Sequence, residues 1–129
     1  MGDWVIGRLV DWSVMLALAA GIVRMDAARV VAGETPGCAW PAKVAAVQVM
    51  LNREAAGVDG GWYGDAEPGP LDVLAVIWAG RLPDTVDDAL YFLGPGDAAK
   101  LARWLGRRTG RWECPGTWVE SWRAADGGR

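Results

Sequence analysis

The chain opens with apolar positions broken by Asp3, Arg8 and Asp11, then runs uninterrupted from Trp12 to Val23. Residues 4–23 are therefore expected to form a first, hydrophobic helix. The uninterrupted run is about a dozen residues, short of the ~20 that a bilayer span requires. Two acids against one arginine in its flank do not make the basic start of a signal peptide. The segment 1–24 is expected to be buried or interfacial without a stable membrane span, a signal anchor being the alternative.

From residue 25 the pattern is helical again. Asp26 can cap a second helix, AARVVAGE, which the Gly- and Pro-bearing turn 33–37 ends. Pro41 suits the first turn of a third helix over 41–54. There Val44, Val47 and Leu51 form one row and Ala46 and Met50 another, which predicts the central buried element. Its polar exceptions, Gln48 and Asn52, are four apart on one face, and a structural role bonding backbone is expected for them.

Residues 55–70 make a long Gly-rich loop holding Trp62, Tyr63, Asp65 and Glu67, and loops of this length often carry function. A helix over 71–80, a turn and the short apolar segment ALYFLGP follow. Asp97 then caps a helix through AAKLARWLGRR, with Lys100, Arg103 and Arg107 on one face. The Trp-rich end, from Thr109 on, reads as irregular. Nothing alternates long enough to make a convincing strand, so the expected fold is mainly α: one helical domain over 25–129 with little or no sheet, preceded by the hydrophobic helix 1–24.

Composition narrows the chemistry. The chain has no His, which removes the usual general base, a common metal ligand and any Ser-His-Asp triad. Acid–base work must rest on Asp, Glu, Lys or Tyr. Nine Trp against one Phe and two Tyr suggest stacking surfaces as well as core, and sugar faces are one natural partner. The net charge of −3 argues against nucleic-acid binding, although a basic stretch at 97–112 keeps that reading in view. Cys38 and Cys114 lack metal-site spacing. They are read first as two small buried side chains, with a disulfide as the alternative.

Among sixteen carboxylates, Glu34 differs by its neighbourhood. It follows Val30, Val31, Ala32 and Gly33 and precedes a tight turn beside an apolar helix. Carboxylic acids in apolar surroundings without a basic partner keep their proton and can donate it. A solvated residue at a helix end is the plainer alternative.

Three stretches in order add to this: ARVVAGETPG, AKVAAVQVMLNR and VIWAGRLPDTVDDALYFLGP. Over residues 25–96 they resemble the cell wall hydrolase family typified by the spore-cortex lytic enzyme SleB. Glu34 matches the family's catalytic Glu, and Leu51-Asn52-Arg53 its Leu-Asn-Arg. Ala79-Gly80, Pro83-Asp84, Ala89 to Phe92 and Pro95 match the third segment. Glu34-Thr35-Pro36-Gly37-Cys38 departs from Glu-Ala-Arg-Gly-Glu, so the family's second acid has no counterpart.

The resemblance implies a goose-lysozyme-like helical fold and cleavage of the MurNAc–GlcNAc bond of peptidoglycan at the bacterial cell wall. Glu34 would be the acid, with no cofactor or metal. Trp62, Tyr63, Asp65 and Tyr91 would bind the glycan, and Asp65 or Glu67 would supply a second carboxylate if the reaction were hydrolysis. A phage or virion setting is one reading of the poor signal peptide. A non-catalytic wall-binding or virion protein on the same scaffold is the competing reading. The sequence leaves the oligomeric state unknown.

Overall fold

The computed structural model describes residues 25–58, 60–62 and 64–126. The expected helix 4–23 and Tyr63 lie outside them. Four α-helices are described: α1 Met25–Glu34, α2 Trp40–Ala55, α3 Pro70–Trp78 and α4 Pro95–Lys100. Strand β1, Tyr91–Leu93, precedes α4, while β2, Leu105–Cys114, and β3, Thr117–Ala124, close the chain. Asp26 stands inside the first turn of α1 and Pro41 at the start of α2. Just past α2, Gly57 takes φ +69°, the left-handed conformation with which helices commonly end. No helix among the described residues is long and apolar enough to cross a membrane.

The expectation of a mainly α domain with little or no sheet is wrong. A three-stranded antiparallel sheet in the order β1-β3-β2 makes this a mixed α/β fold. The helix expected through AAKLARWLGRR stops at Lys100, and the supposedly irregular tail is a hairpin. Gly106 and Gly110, weak helix formers, lie in β2. Pro115-Gly116, with Gly116 at φ +73°, is the tight turn that sends the chain back as β3. The strand signal was hidden because both faces of β3 are covered: Val119, Glu120 and Ser121 are buried in succession, so polarity does not alternate. Two irregularities in the β2–β3 register, around Arg108, blur the period further.

Helix α2 lies between two cores. Its Ala42, Ala45, Ala46 and Val49 meet Cys38, Val86, Ala89, Phe92 and Val119 on the sheet side. Its Val44, Val47 and Met50 meet Ala27 and Val31 of α1 and Ala75 and Ala79 at the end of α3. Three alanines on the sheet side let the strands approach closely, and this face repeats at the 3.6-residue spacing of a helix. The structure joins Cys38 to Cys114, with Cα atoms 4.6 Å apart, so the disulfide alternative holds. It ties the turn after α1 to the end of β2.

The polar side chains of α2 bond the connection that runs over it. Gln48 Nε2 donates to the carbonyls of Ala79 and Pro83, at 3.2 and 3.0 Å. Its Oε1 accepts from the Thr85 backbone N–H and hydroxyl, at 3.0 and 2.7 Å. Asn52 Nδ2 donates to the carbonyls of Asp87 and Ala89. The structural role expected of this amide pair is what the structure has. Gln48→Leu keeps the volume but takes the Gln48 partner from the Pro83 carbonyl and from the Thr85 N–H and hydroxyl. It should lower stability by about 3 kcal/mol with an unchanged m-value in urea, since each buried unpaired group costs ~1–3 kcal/mol. Cys38→Ala/Cys114→Ala should cost about 4 kcal/mol in the same titration, by the loop entropy of a 76-residue separation.

Candidate active site

Glu34 ends α1, where the segment 64–66 crosses the helix. Its Oε1 accepts a 2.8 Å hydrogen bond from the Gly64 backbone N–H, which fixes the carboxyl's direction. The crossing is as close as backbones allow. A Cβ on Gly64 would lie 2.6 Å from Glu34 N and Val30 O and 2.7 Å from Glu34 Cγ. A Cβ on Gly33 would run into the Gly64 and Asp65 backbone. Two glycines facing each other thus permit the contact that orients the acid. Two residues after Gly64, the Ala66 N–H donates to the Arg29 carbonyl at 3.2 Å and extends the seam along α1.

A cleft of about 280 Å³ lies along the same helix, lined by α1 through Asp26, Ala27 and Val30, by α2 through Met50, Arg53 and Glu54, and by Val58, Gly60 and Trp62. Val30 is one helical turn before Glu34, so cleft and acid share a side of α1. Trp62 packs against both cores and also lines the cleft. The Arg53 guanidinium lies 5.8 Å from the Trp62 ring centroid. It donates to the Gly60 carbonyl at 2.6 Å and the Leu90 carbonyl at 2.7 Å, tying the loop to the start of β1.

The expected site residues thus fall in different places. Glu34 and Trp62 lie on or beside the cleft. Asp65 follows Gly64, but its carboxylate pairs with Arg29 Nε at 2.7 Å, with Glu67 3.6 Å from the same guanidinium. Tyr91 sits in β1 opposite Trp122, on the sheet face away from buried Phe92. Its neighbour Leu90 is the residue whose carbonyl Arg53 holds. No group of acidic or cysteine side chains suited to a metal ion occurs among the described residues.

The apolar pattern of α2 does not flag its two buried cations, Lys43 and Arg53, 6% and 9% exposed, of which only Arg53 enters, through the Leu-Asn-Arg resemblance. The available signal is two basic residues ten apart in a mostly apolar helix. Asp26, expected as a cap, is spaced eight from Glu34, which places both on one side of α1.

No protein-family model and no curated protein matches the chain. Among solved structures it is similar to the catalytic domain of the Bacillus cereus SleB protein, with 21% identity and a TM-score of 0.50. The match covers 74% of this chain and 85% of that one. The chain has the fold of a SleB-type catalytic domain, in keeping with the resemblance carried by residues 25–96.

Because the Gly64 crossing leaves no room for a methyl group, Gly64→Ala must push the loop off α1. It should lose about 1–3 kcal/mol by thermal melting, the usual cost of overpacking. Gly96→Ala, where an added Cβ meets nothing within 4 Å, is the control and should not lower the melting temperature.

Proposed function

We propose that the protein cleaves the MurNAc–GlcNAc glycosidic bond of peptidoglycan as a lytic transglycosylase, with Glu34 as acid and then base. The observation that carries this reading is the Glu34 carboxyl itself, aimed by the Gly64 N–H at the end of the helix that lines the cleft. The shared fold with the SleB catalytic domain supports the same class of reaction. The place of action is then the bacterial cell wall.

In the proposed cycle the Glu34 proton passes to the glycosidic oxygen as the bond from that oxygen to the MurNAc C1 breaks. The C6 hydroxyl of the same MurNAc attacks C1, and the Glu34 carboxylate takes up the hydroxyl proton. The product ends in a 1,6-anhydro ring, and the acid returns to its starting state. No water enters and no second carboxylate is required.

Two of the other carboxylates, Asp26 and Asp65, are poorly placed for a hydrolytic pair with Glu34. Two-carboxylate glycosidases hold their acids ~5–9.5 Å apart. Asp26 is eight residues from Glu34 along α1, about 12 Å at 1.5 Å per residue. Asp65 is close in sequence to the Gly64 contact, but Arg29 holds its carboxylate. Trp62 is the proposed stacking surface for a sugar ring, since it borders the cleft and its back is fixed by both cores. Tyr63, Asp65 and Tyr91 complete the proposed glycan contacts.

Glu34→Gln tests the assignment because its amide oxygen can still accept from Gly64 while it has no proton to give. Clearing of purified cell walls should fall at least ~100-fold, the scale of general acid–base catalysis. Mass spectrometry of wild-type products should show anhydro ends, lighter by one water than reducing ends. A Gln variant that still clears walls would refute the role of Glu34, and reducing ends would replace the transglycosylase by a hydrolase.

A further inference from the structure

Thr35, the residue after Glu34, is fully buried and bonded on every side. Its N–H donates to the Val31 carbonyl at 2.9 Å, and its hydroxyl donates to the same carbonyl at 2.6 Å. Its own carbonyl accepts from the Cys38 N–H at 3.1 Å and from Lys43 Nζ at 3.0 Å. Lys43 Nζ lies 3.3 Å from the Thr35 hydroxyl oxygen and 2.6 Å from Asp72 Oδ1. An ammonium has three N–H groups, and here three acceptors surround it. Asp72 is fixed in turn, for its Oδ2 accepts from the Gly69 N–H at 2.8 Å.

This chain of bonds crosses three elements: α3 holds the carboxylate, α2 the ammonium, and the ammonium holds the end of α1. Lys43 and Asp72 are each only 6% exposed. A buried ion pair is a poor source of stability, because well-packed apolar residues of like volume do as well or better. What this pair adds is direction. A cation under the last carbonyls of a helix complements their dipoles and stops the final turn from fraying. The turn it stops is the one that ends in Glu34.

We propose that Lys43 is a positioning residue for Glu34. Its ammonium, anchored by Asp72, holds Thr35 and so sets the last turn of α1 at the height where the Glu34 carboxyl meets the Gly64 N–H. The proposal rests on Glu34 being the acid, but its structural half concerns only the Glu34–Gly64 bond and can be read without substrate. The loop fixes the carboxyl from one side and the lysine fixes the backbone beneath it from the other. A displacement of about 1 Å at such a point is enough to cost ~100-fold in rate.

The test is Lys43→Met/Asp72→Asn, which fills the space, leaves no unpaired buried charge and keeps an acceptor for the Gly69 N–H. Two readouts are taken on the folded variant. The Gly64 amide proton resonance is compared with those of wild type and Glu34→Gln. Steady-state kinetics are measured on soluble peptidoglycan glycan strands. The expected result is a displaced Gly64 resonance and a kcat about 30–100-fold lower, with KM within about twofold, the signature of a lost transition-state interaction. A variant with a lower melting temperature but unmoved Gly64 resonance and unchanged kcat overturns the proposal, because that is what a purely structural ion pair would give. Should the double variant not fold, Lys43→Leu/Asp72→Asn, which also leaves no unpaired buried charge, is judged by the same readouts. If the wild-type protein cleaves no glycan, the reading of its function falls, while the Gly64 resonance still decides the role of Lys43.

Discussion

The burial of α2 is the constraint on which the other elements depend. A helix covered on nearly all sides satisfies its own backbone but leaves little of its surface to water. Segments laid across it lose water as well, and their carbonyls and N–H groups must find partners there. Four polar side chains of α2 meet that need. Gln48 and Asn52 bond the stretch from Ala79 to Ala89 that follows α3. Arg53 bonds Gly60 and Leu90, and Lys43 bonds Thr35. The two cores supply most of the cohesive burial, while these side chains decide which backbone goes where.

The site follows from that arrangement. Arg53 holds Gly60, and a few residues on the chain meets α1 most closely where both segments lack a Cβ. Gly33 and Gly64 are those places, and the crossing delivers the Gly64 N–H to the Glu34 carboxyl. The same anchoring holds the Trp62 indole under the Arg53 guanidinium at the border of the cleft. Acid, cleft and aromatic surface are thus positioned from one helix, through backbone contacts of the loop.

How much of this the sequence disclosed depends on the kind of interaction. Helices α1, α2 and α3 were legible to within two residues, since each repeats apolar positions at helical spacing and carries Pro or Gly near an end. The amides of α2 were legible as structural because polar groups on a buried face need backbone partners. The sheet was not: Val119, Glu120 and Ser121 are buried in a row, and Glu120 is bonded to Arg108 at 2.8 Å, so its burial leaves no trace in polarity. Glu34 stood out by its apolar surroundings, but the partner that aims it is a backbone N–H thirty residues away, which no side-chain pattern encodes. The burial of Lys43 and Arg53 was not legible from the pattern, because charge on a helix normally signals water; Arg53 entered only through the Leu-Asn-Arg resemblance. The disulfide could not be separated from two buried thiols, since only the fold brings β2 against the turn after α1.

Placing an acid at a helix end carries a penalty that the structure offsets. Final turns fray, because their carbonyls lack partners within the helix. A side chain there would sample many positions, and an acid must be held within a fraction of an ångström to be effective. The turn from Thr35 to Cys38 is gripped from both halves of the domain. On the helical side Lys43 binds the Thr35 carbonyl, and on the sheet side Cys114 binds Cys38. The intervening Gly37, at φ +69°, packs against Pro115 of the hairpin turn. The hairpin sits at the far end of the chain and places none of the proposed acid or glycan contacts in the cleft. Its part in the site is mechanical: it closes the second hold on the turn that α1 runs into.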